Sequence, residues 1–176
     1  MPDRSKAIVT NTTPLIALTA ATGSLDVLRS LYTRVVVPYE VAEEIRIGGK
    51  DAFGLDVFER ASWLEISHSP VVLPPYLQNS LDRGEASVIQ TALQEGIELV
   101  CIGEVAGRRI ARLSKLSLTG SVGILLKAKT MGYPILIQDA INRMRARGIW
   151  LSEGVCGIRS GVAGYPASDL QSPMPS

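Results

Sequence analysis

The sequence is poor in the residues from which several common kinds of site are built. It has two cysteines, one histidine and two phenylalanines, and 18 Lys+Arg against 17 Asp+Glu leave a net charge of only +1. Cys101 and Cys156 match neither a zinc-binding spacing nor a disulfide framework, so we expect a reducing, cytoplasmic environment. The near-neutral charge gives no overall basic field, and any nucleic-acid binding would have to use local patches.

Long apolar runs are also missing. No run reaches the roughly 18 residues of a membrane span, and the first residues lack the apolar core of a signal peptide, so we expect no association with a membrane. The 176 residues, 46% of them hydrophobic, suffice for one domain with a sizeable core. Regular patterning stops near Glu153, where Gly, Ser and Pro accumulate. We therefore predict one folded domain over residues 1–152 and a flexible tail over 153–176.

Apolar, often β-branched segments alternate with segments of helical composition. Strands are predicted over residues 7–9, 34–37, 63–66, 97–102 and 116–118, and helices over 14–21, 24–32, 39–47, 82–95, 105–115, 122–131 and 135–147, with 51–60 weakly helical and 67–80 a loop. This order predicts an α/β fold with a mostly parallel sheet covered on both faces. Ligands of such sheets bind at the carboxyl ends of the strands, which directs attention to residues 11–13 and 103–104.

Two glutamates conflict with the amphipathic pattern of their predicted helices. Glu44 falls within the apolar stripe of Val41 and Ile45, and Glu85 lies near the centre of an inward face. A carboxylate that points to a core is costly unless a positive group pairs with it, and a divalent metal ion would be such a group. Glu44 on a solvated face, and Glu85 in a capping box with Asp82, are the alternatives. The possible convergence of both with residues 11 and 104 at the strand ends favours a shared polar site.

Five short motifs, in their order along the chain, are similar to those of a known protein family. They are Asn-Thr-Thr-Pro-Leu-Ile-Ala-Leu at 11–18, Val-Val-Val-Pro-Tyr-Glu-Val-Ala-Glu-Glu-Ile at 35–45, Leu-Asp-Arg-Gly-Glu-Ala at 81–86, Gly-Glu-Val-Ala-Gly-Arg-Arg at 103–109 and Thr-Gly-Ser-Val-Gly-Ile-Leu-Leu-Lys-Ala-Lys at 119–129. In these the chain resembles the PIN-domain family, in particular its VapC-like DUF3368 branch of predicted nucleic-acid-binding toxins. The resemblance implies a three-layer α/β/α sandwich and an acidic cluster that binds Mg²⁺ or Mn²⁺ and hydrolyses single-stranded RNA. It also implies a small antitoxin partner and a homodimer.

The family's four acidic positions fall on Asn11, Glu44, Glu85 and Gly103, so two of them are not acids. The resemblance implies Glu44, Glu85 and Asn11 as metal ligands, since an amide carbonyl can bind a hard cation, and we expect the neighbouring Glu104 to supply the acid missing at Gly103. The predicted catalytic set is therefore Asn11, Glu44, Glu85 and Glu104. We expect substrate contacts from Thr12, Arg108, Arg109 and Ser121.

Two other functions fit the sequence less well. The first is a PIN-fold module that binds RNA or protein and has lost its metal chemistry, which Asn11 and Gly103 favour. The second is a small-molecule enzyme on a doubly wound fold, but no dinucleotide-binding glycine pattern follows the first strand.

Overall fold

A computed structural model describes residues 6–48 and 53–149 of the chain. The tail predicted over 153–176 lies outside these residues. Within them, no helix is both long and apolar enough to cross a membrane.

Five parallel strands form one sheet, which confirms the predicted α/β fold class. They are β1 (Ala7–Thr10), β2 (Arg34–Val37), β3 (Glu65–Ile66), β4 (Leu99–Cys101) and β5 (Ser117–Thr119). Their spatial order is β3-β2-β1-β4-β5, with Val9 paired to Val36 on one side and to Val100 on the other. β1 is central because its apolar, β-branched residues Ile8 and Val9 are fully buried. The order of the strands reverses between β1 and β4, and such a reversal opens a crevice at the carboxyl ends.

Helices cover both faces of the sheet. They are α1 (Thr12–Thr22), α2 (Asp26–Leu31), α3 (Tyr39–Ile47), α4 (Leu55–Arg60), α5 (Pro75–Ser80), α6 (Arg83–Glu95), α7 (Val105–Leu113), α8 (Ser121–Thr130) and α9 (Ile137–Ala146). One group of packed helices consists of α1, α2, α8 and α9. The second consists of α6 with α3, α5 and α7 packed around it. Helix α6 also contacts β1 and β4, so its first turn is held beside the crevice.

Two sequence predictions about these elements were wrong. Residues 67–80 are not all loop, because α5 begins at Pro75; proline is favoured in a first helical turn, where its missing N–H costs nothing. Helix α1 begins at Thr12 and not at residue 14, so Asn11 is its N-cap residue. That shift places Asn11 at the junction of β1 and α1.

Candidate metal centre

The candidate site lies where β1 and β4 end side by side. The backbone N–H of Asn11 donates to the carbonyl of Cys101 at 3.0 Å, which fixes the end of β1 against that of β4. Glu104 is the N-cap residue of α7, and Asp82 is the N-cap residue of α6. Both acids thus stand at helix N-termini, where unpaired N–H groups and the helix dipole stabilise negative charge.

Three carboxylates come together at this point. One oxygen from each of Asp82, Glu85 and Glu104 lies within 4.8 Å of the other two. Asp82 and Glu104 are exposed, whereas Glu85 is buried with 3% of its surface accessible. Three like charges at this separation repel one another unless a cation or a proton compensates them.

Glu85 shows the electrostatic effect of this arrangement. Its pKa is raised to about 7, first by burial and then by the charges of Asp82 and Glu104. Its backbone N–H donates to Asp82 Oδ1 at 2.8 Å, as the capping alternative predicts. However, its Oε1 is buried and has no hydrogen-bond partner among the described residues. A buried carboxylate oxygen without a donor is a position that a cation would satisfy.

A second set of oxygens meets beside Gly84. Glu44 Oε2, Asn11 Oδ1 and Asp82 Oδ1 lie 2.9, 3.1 and 3.4 Å from the position that a Cβ on residue 84 would occupy. Asn11 Oδ1 is buried and accepts no hydrogen bond from the described part of the chain. Thr12 Oγ1 donates to Glu44 Oε2 at 3.1 Å. Asp82 therefore adjoins both sets of oxygens, and glycine at position 84 keeps the space between them open.

The predicted inward orientation of Glu44 was wrong. Glu44 is exposed, and the buried acid of α3 is Glu40, whose Oε1 accepts from the N–H of Val71 at 2.9 Å. The inner face of α3 runs through Val41, Ala42 and Ile45, and a shift of a few tens of degrees in that stripe takes Glu44 to its edge. Glu44 still reaches the site, but from the solvent side and through Thr12.

Sequence reasoning placed Asp82 only as a helix cap and missed it as a member of the acidic cluster. Residues three apart on a helix lie on the same face, so the spacing Asp82-Arg-Gly-Glu85 indicates that the two acids are neighbours, but the same spacing is also that of a helix cap. Glu104 lies within the cluster, whereas the exposed Gly103 contributes no side chain. The geometry thus groups Glu85 with Asp82 and Glu104, while Glu44 and Asn11 form the adjoining set.

The predicted substrate contacts are distributed unevenly around the site. Arg108 Nη1 donates to the carbonyl of Ile102 at 2.9 Å, so this half-buried guanidinium secures the segment after β4. Arg109 is exposed on α7. Ser121 is the first residue of α8, at the carboxyl end of β5, and Gly120 is the N-cap residue of that helix.

These residues fit a hard divalent cation. Mg²⁺ and Mn²⁺ prefer carboxylate and carbonyl oxygens, and the described residues offer three clustered carboxylates with a fourth acid and an amide carbonyl beside them. Two of these oxygens, on Asn11 and Glu85, are buried without a donor. The site therefore has both the donor chemistry and the uncompensated charge that a metal ion requires.

Comparison with known proteins agrees with this geometry. The DUF3368 family model, described as a PIN domain, matches residues 7–159, whereas a search of curated proteins found no match. PIN domains are generally nucleases and typically use divalent metals. The parallel sheet, the acids at its carboxyl edge and the match over most of the sequence lead to one conclusion: the chain belongs to the PIN-domain family.

Proposed function

We propose that the protein is a metal-dependent endoribonuclease of the PIN/VapC toxin type, which cleaves phosphodiester bonds in single-stranded RNA. The observation that carries the proposal is the cluster of Asp82, Glu85 and Glu104 around a buried, unpartnered Glu85 oxygen. Within residues 6–48 and 53–149, none of these three carboxylates forms a salt bridge. Unpaired carboxylates collected at a crevice suit metal-assisted phosphoryl chemistry better than acid–base chemistry on a small molecule.

In this proposal each residue has a definite task. Bound Mg²⁺ or Mn²⁺ supplies neutralisation of phosphate charge and activation of a water molecule. Asp82, Glu85 and Glu104 hold the ion, and the Asn11 carbonyl offers a neutral fourth oxygen. Thr12 orients Glu44 through its 3.1 Å hydrogen bond, which leaves Glu44 at the solvent side of the site to orient a water molecule. Exposed Arg109 contacts the RNA backbone as a mobile cation.

The test is cleavage of a mixed single-stranded RNA pool by purified protein with Mn²⁺, beside an EDTA control and an Asp82→Asn, Glu104→Gln double variant. We expect cleavage by the wild type alone, because the variant keeps the shapes of both side chains and removes their charges. Cleavage that persists in EDTA or in the variant would reject the proposed site. No cleavage by folded wild type with bound Mn²⁺ would reject the nuclease.

The partners of this function are proposed on the family resemblance alone. We include a small antitoxin and a homodimer, both of which can be tested by co-purification with the neighbouring gene product and by light scattering. The competing function is a PIN-fold binding module without catalysis. It is favoured by the missing charge at Asn11 and the missing side chain at Gly103.

Restoring the acid at position 11 tests whether Asn11 belongs to the metal site. We expect Asn11→Asp to bind Mn²⁺ about tenfold more tightly, because it adds a charged oxygen ligand. We also expect the metal-free protein to lose about 1–2 kcal/mol of unfolding free energy, because the new charge is buried beside Glu44 and Asp82. Calorimetric titration and thermal melting measure the two effects, and Asn79→Asp, at an exposed position of α5, is the matched control. Unchanged Mn²⁺ affinity would place the ion away from Asn11.

A further inference from the structure

A cavity of about 640 Å³ opens beside the metal centre. Asp82 and Gly84 line one side of it, so it is continuous with the acids that we propose to hold the ion. Tyr39, Ile47 and Pro70 contribute apolar surface to its wall. A space of this size and mixed character suits a small planar ligand that has both apolar faces and polar edges.

The polar groups of the cavity are mostly acceptors. Glu40, Glu43 and Glu44 line it from α3, and Arg83 is the guanidinium in the lining. An ionised carboxylate accepts hydrogen bonds but cannot donate them. The cavity therefore favours a ligand edge that presents N–H groups and disfavours an edge that presents acceptors.

Glu40 gives the strongest indication of a ligand. It is only 8% exposed, and the Val71 N–H that binds its Oε1 holds the carboxyl group in place. Its Oε2 is buried and has no partner within residues 6–48 and 53–149. An acceptor that is buried in this way has lost its hydration without gaining a partner, so a ligand donor would gain more here than at a solvated carboxylate.

We propose that this cavity is a subsite for a guanine base of the RNA substrate; this inference rests on the proposed nuclease function. Guanine presents two adjacent donors, N1–H and the 2-amino group, along its Watson–Crick edge. Adenine and cytosine place a ring-nitrogen acceptor at the corresponding position, and uracil flanks its single N–H with two carbonyl oxygens. Protein recognition of single-stranded RNA commonly combines hydrogen bonds to this edge with packing of the base against aromatic side chains, for which Tyr39 is available.

The proposal fixes the roles of two acids. Glu40 Oε2 accepts from the 2-amino group of the base, and Glu43 accepts from N1–H. The carboxylate of Glu43 contacts Arg46 through Oε1 at 3.2 Å and is 37% exposed, so a ligand can reach its second oxygen. Both acids lie outside the cluster of Asp82, Glu85 and Glu104, so base recognition and metal binding can be altered separately.

The experiment compares short oligouridines that carry one central guanosine, inosine or adenosine. Their binding to the full chain is measured by fluorescence anisotropy in Ca²⁺, with the oligonucleotides checked for integrity. We expect the guanosine form to bind about tenfold more tightly than the inosine form, which lacks only the 2-amino group. In Glu40→Gln the guanosine-to-inosine ratio should fall towards one, because one acceptor becomes a donor while the other oxygen can still accept from Val71. Glu43→Gln, on a partly exposed side chain, is the second variant and should weaken binding of the guanosine and inosine forms alike, because both bases carry N1–H.

Glu59→Gln, on the exposed surface of α4, is the matched control and should retain the wild-type ratio. Equal affinity for guanosine and inosine, or a ratio that Glu40→Gln leaves unchanged, would overturn the subsite. GMP that binds as tightly as the oligonucleotide would assign the cavity to a free nucleotide instead. Mn²⁺-dependent cleavage without a guanine preference would reject this inference alone, and a guanine preference without cleavage would reject the nuclease alone.

Discussion

Glu85→Gln is expected to lower metal-dependent cleavage by at least about a hundredfold while making the metal-free protein more stable above pH 7. The loss of activity follows because Glu85 is the buried member of the acidic cluster, and even outer partners of a metal site are worth about tenfold to a hundredfold in metal affinity or activity. The gain in stability follows because an ionised carboxylate at this position is unfavourable without a cation. The same substitution thus acts in opposite directions on the two properties.

The pKa of Glu85 sets the pH range of the stability effect. Folding raises that pKa from 4.5 to about 7, so the folded protein binds the proton more tightly than the unfolded chain. The stability that folding gains from this tighter proton binding is fully present below about pH 4.5. It decreases as the pH rises from about 4.5 to about 7 and is lost above about pH 7. Because solvent screens the repulsion from exposed Asp82 and Glu104, we expect a difference of about 2 kcal/mol in unfolding free energy at pH 8.

Chemical denaturation in EDTA at pH 4.5 and pH 8 measures this effect. The variant and the wild type should differ little at pH 4.5, and the variant should be more stable at pH 8. Added Mn²⁺ should raise the melting temperature of the wild type and not that of the variant. Glu95→Gln, on the same helix and half exposed in a weak contact with Arg34, should change neither property by more than about 0.5 kcal/mol. A variant that is less stable than the wild type at pH 8 would contradict the buried charge.

Gly107→Ala is expected to destabilise the fold and to weaken metal binding together. A Cβ on residue 107 would lie 2.8 Å from Glu85 Oε1 and 2.8 Å from Ile102 Cγ2. Alanine normally stabilises a helix interior by about 0.5–1 kcal/mol relative to glycine, but overpacking costs about 1–3 kcal/mol. Ile102 is fully buried and cannot withdraw without disturbing the core, so the steric effect should exceed the helical gain by about 1–2 kcal/mol.

Gly103→Ala is the matched control for this substitution. Its Cβ would meet Thr13 Cγ2 at 3.5 Å and Thr13 Cβ at 3.8 Å, which are ordinary contacts, and residue 103 is exposed. We expect a change within about 0.5 kcal/mol and unaltered Mn²⁺ affinity. Thermal melting and calorimetric titration of both variants check the prediction. A Gly107→Ala protein as stable as the wild type would show that α7 can move away from α6.

The sequence specified the fold more completely than it specified the site. Hydrophobic composition located the described strands near their final positions. The signal is strongest for β1, β2 and β4, which bury apolar, β-branched residues, whereas the edge strands β3 and β5 are only partly covered. Periodicity also predicted the burial of Glu85. Glu85 lies at the centre of the inner face of its helix, so an error of some tens of degrees in the predicted direction of that face does not change its burial. Glu44 is at the edge of its stripe, where the same error reverses the prediction.

The acidic cluster could not be read from spacing alone for a different reason. Asp82 acts as a helix cap, and the hydrogen bond from the Glu85 N–H to its Oδ1 explains that residue type without any metal. Asp82 becomes part of the acidic cluster only because α7 approaches α6 and brings Glu104 beside it. Such a contact between distant segments depends on tertiary packing and has no signature within either segment.

The pairing of β1 with β4 also determines when the site can form during synthesis. β1 ends at Thr10, whereas its partner β4 ends at Cys101 and Glu104 follows. Contacts between segments so far apart in sequence form late, because the intervening chain must first be ordered. A growing chain therefore has Asn11, Glu44 and Glu85 before it has Glu104, and the complete cluster arises only after β4 has emerged and docked beside β1. The topology itself delays assembly of the acidic cluster until most of the domain has left the ribosome.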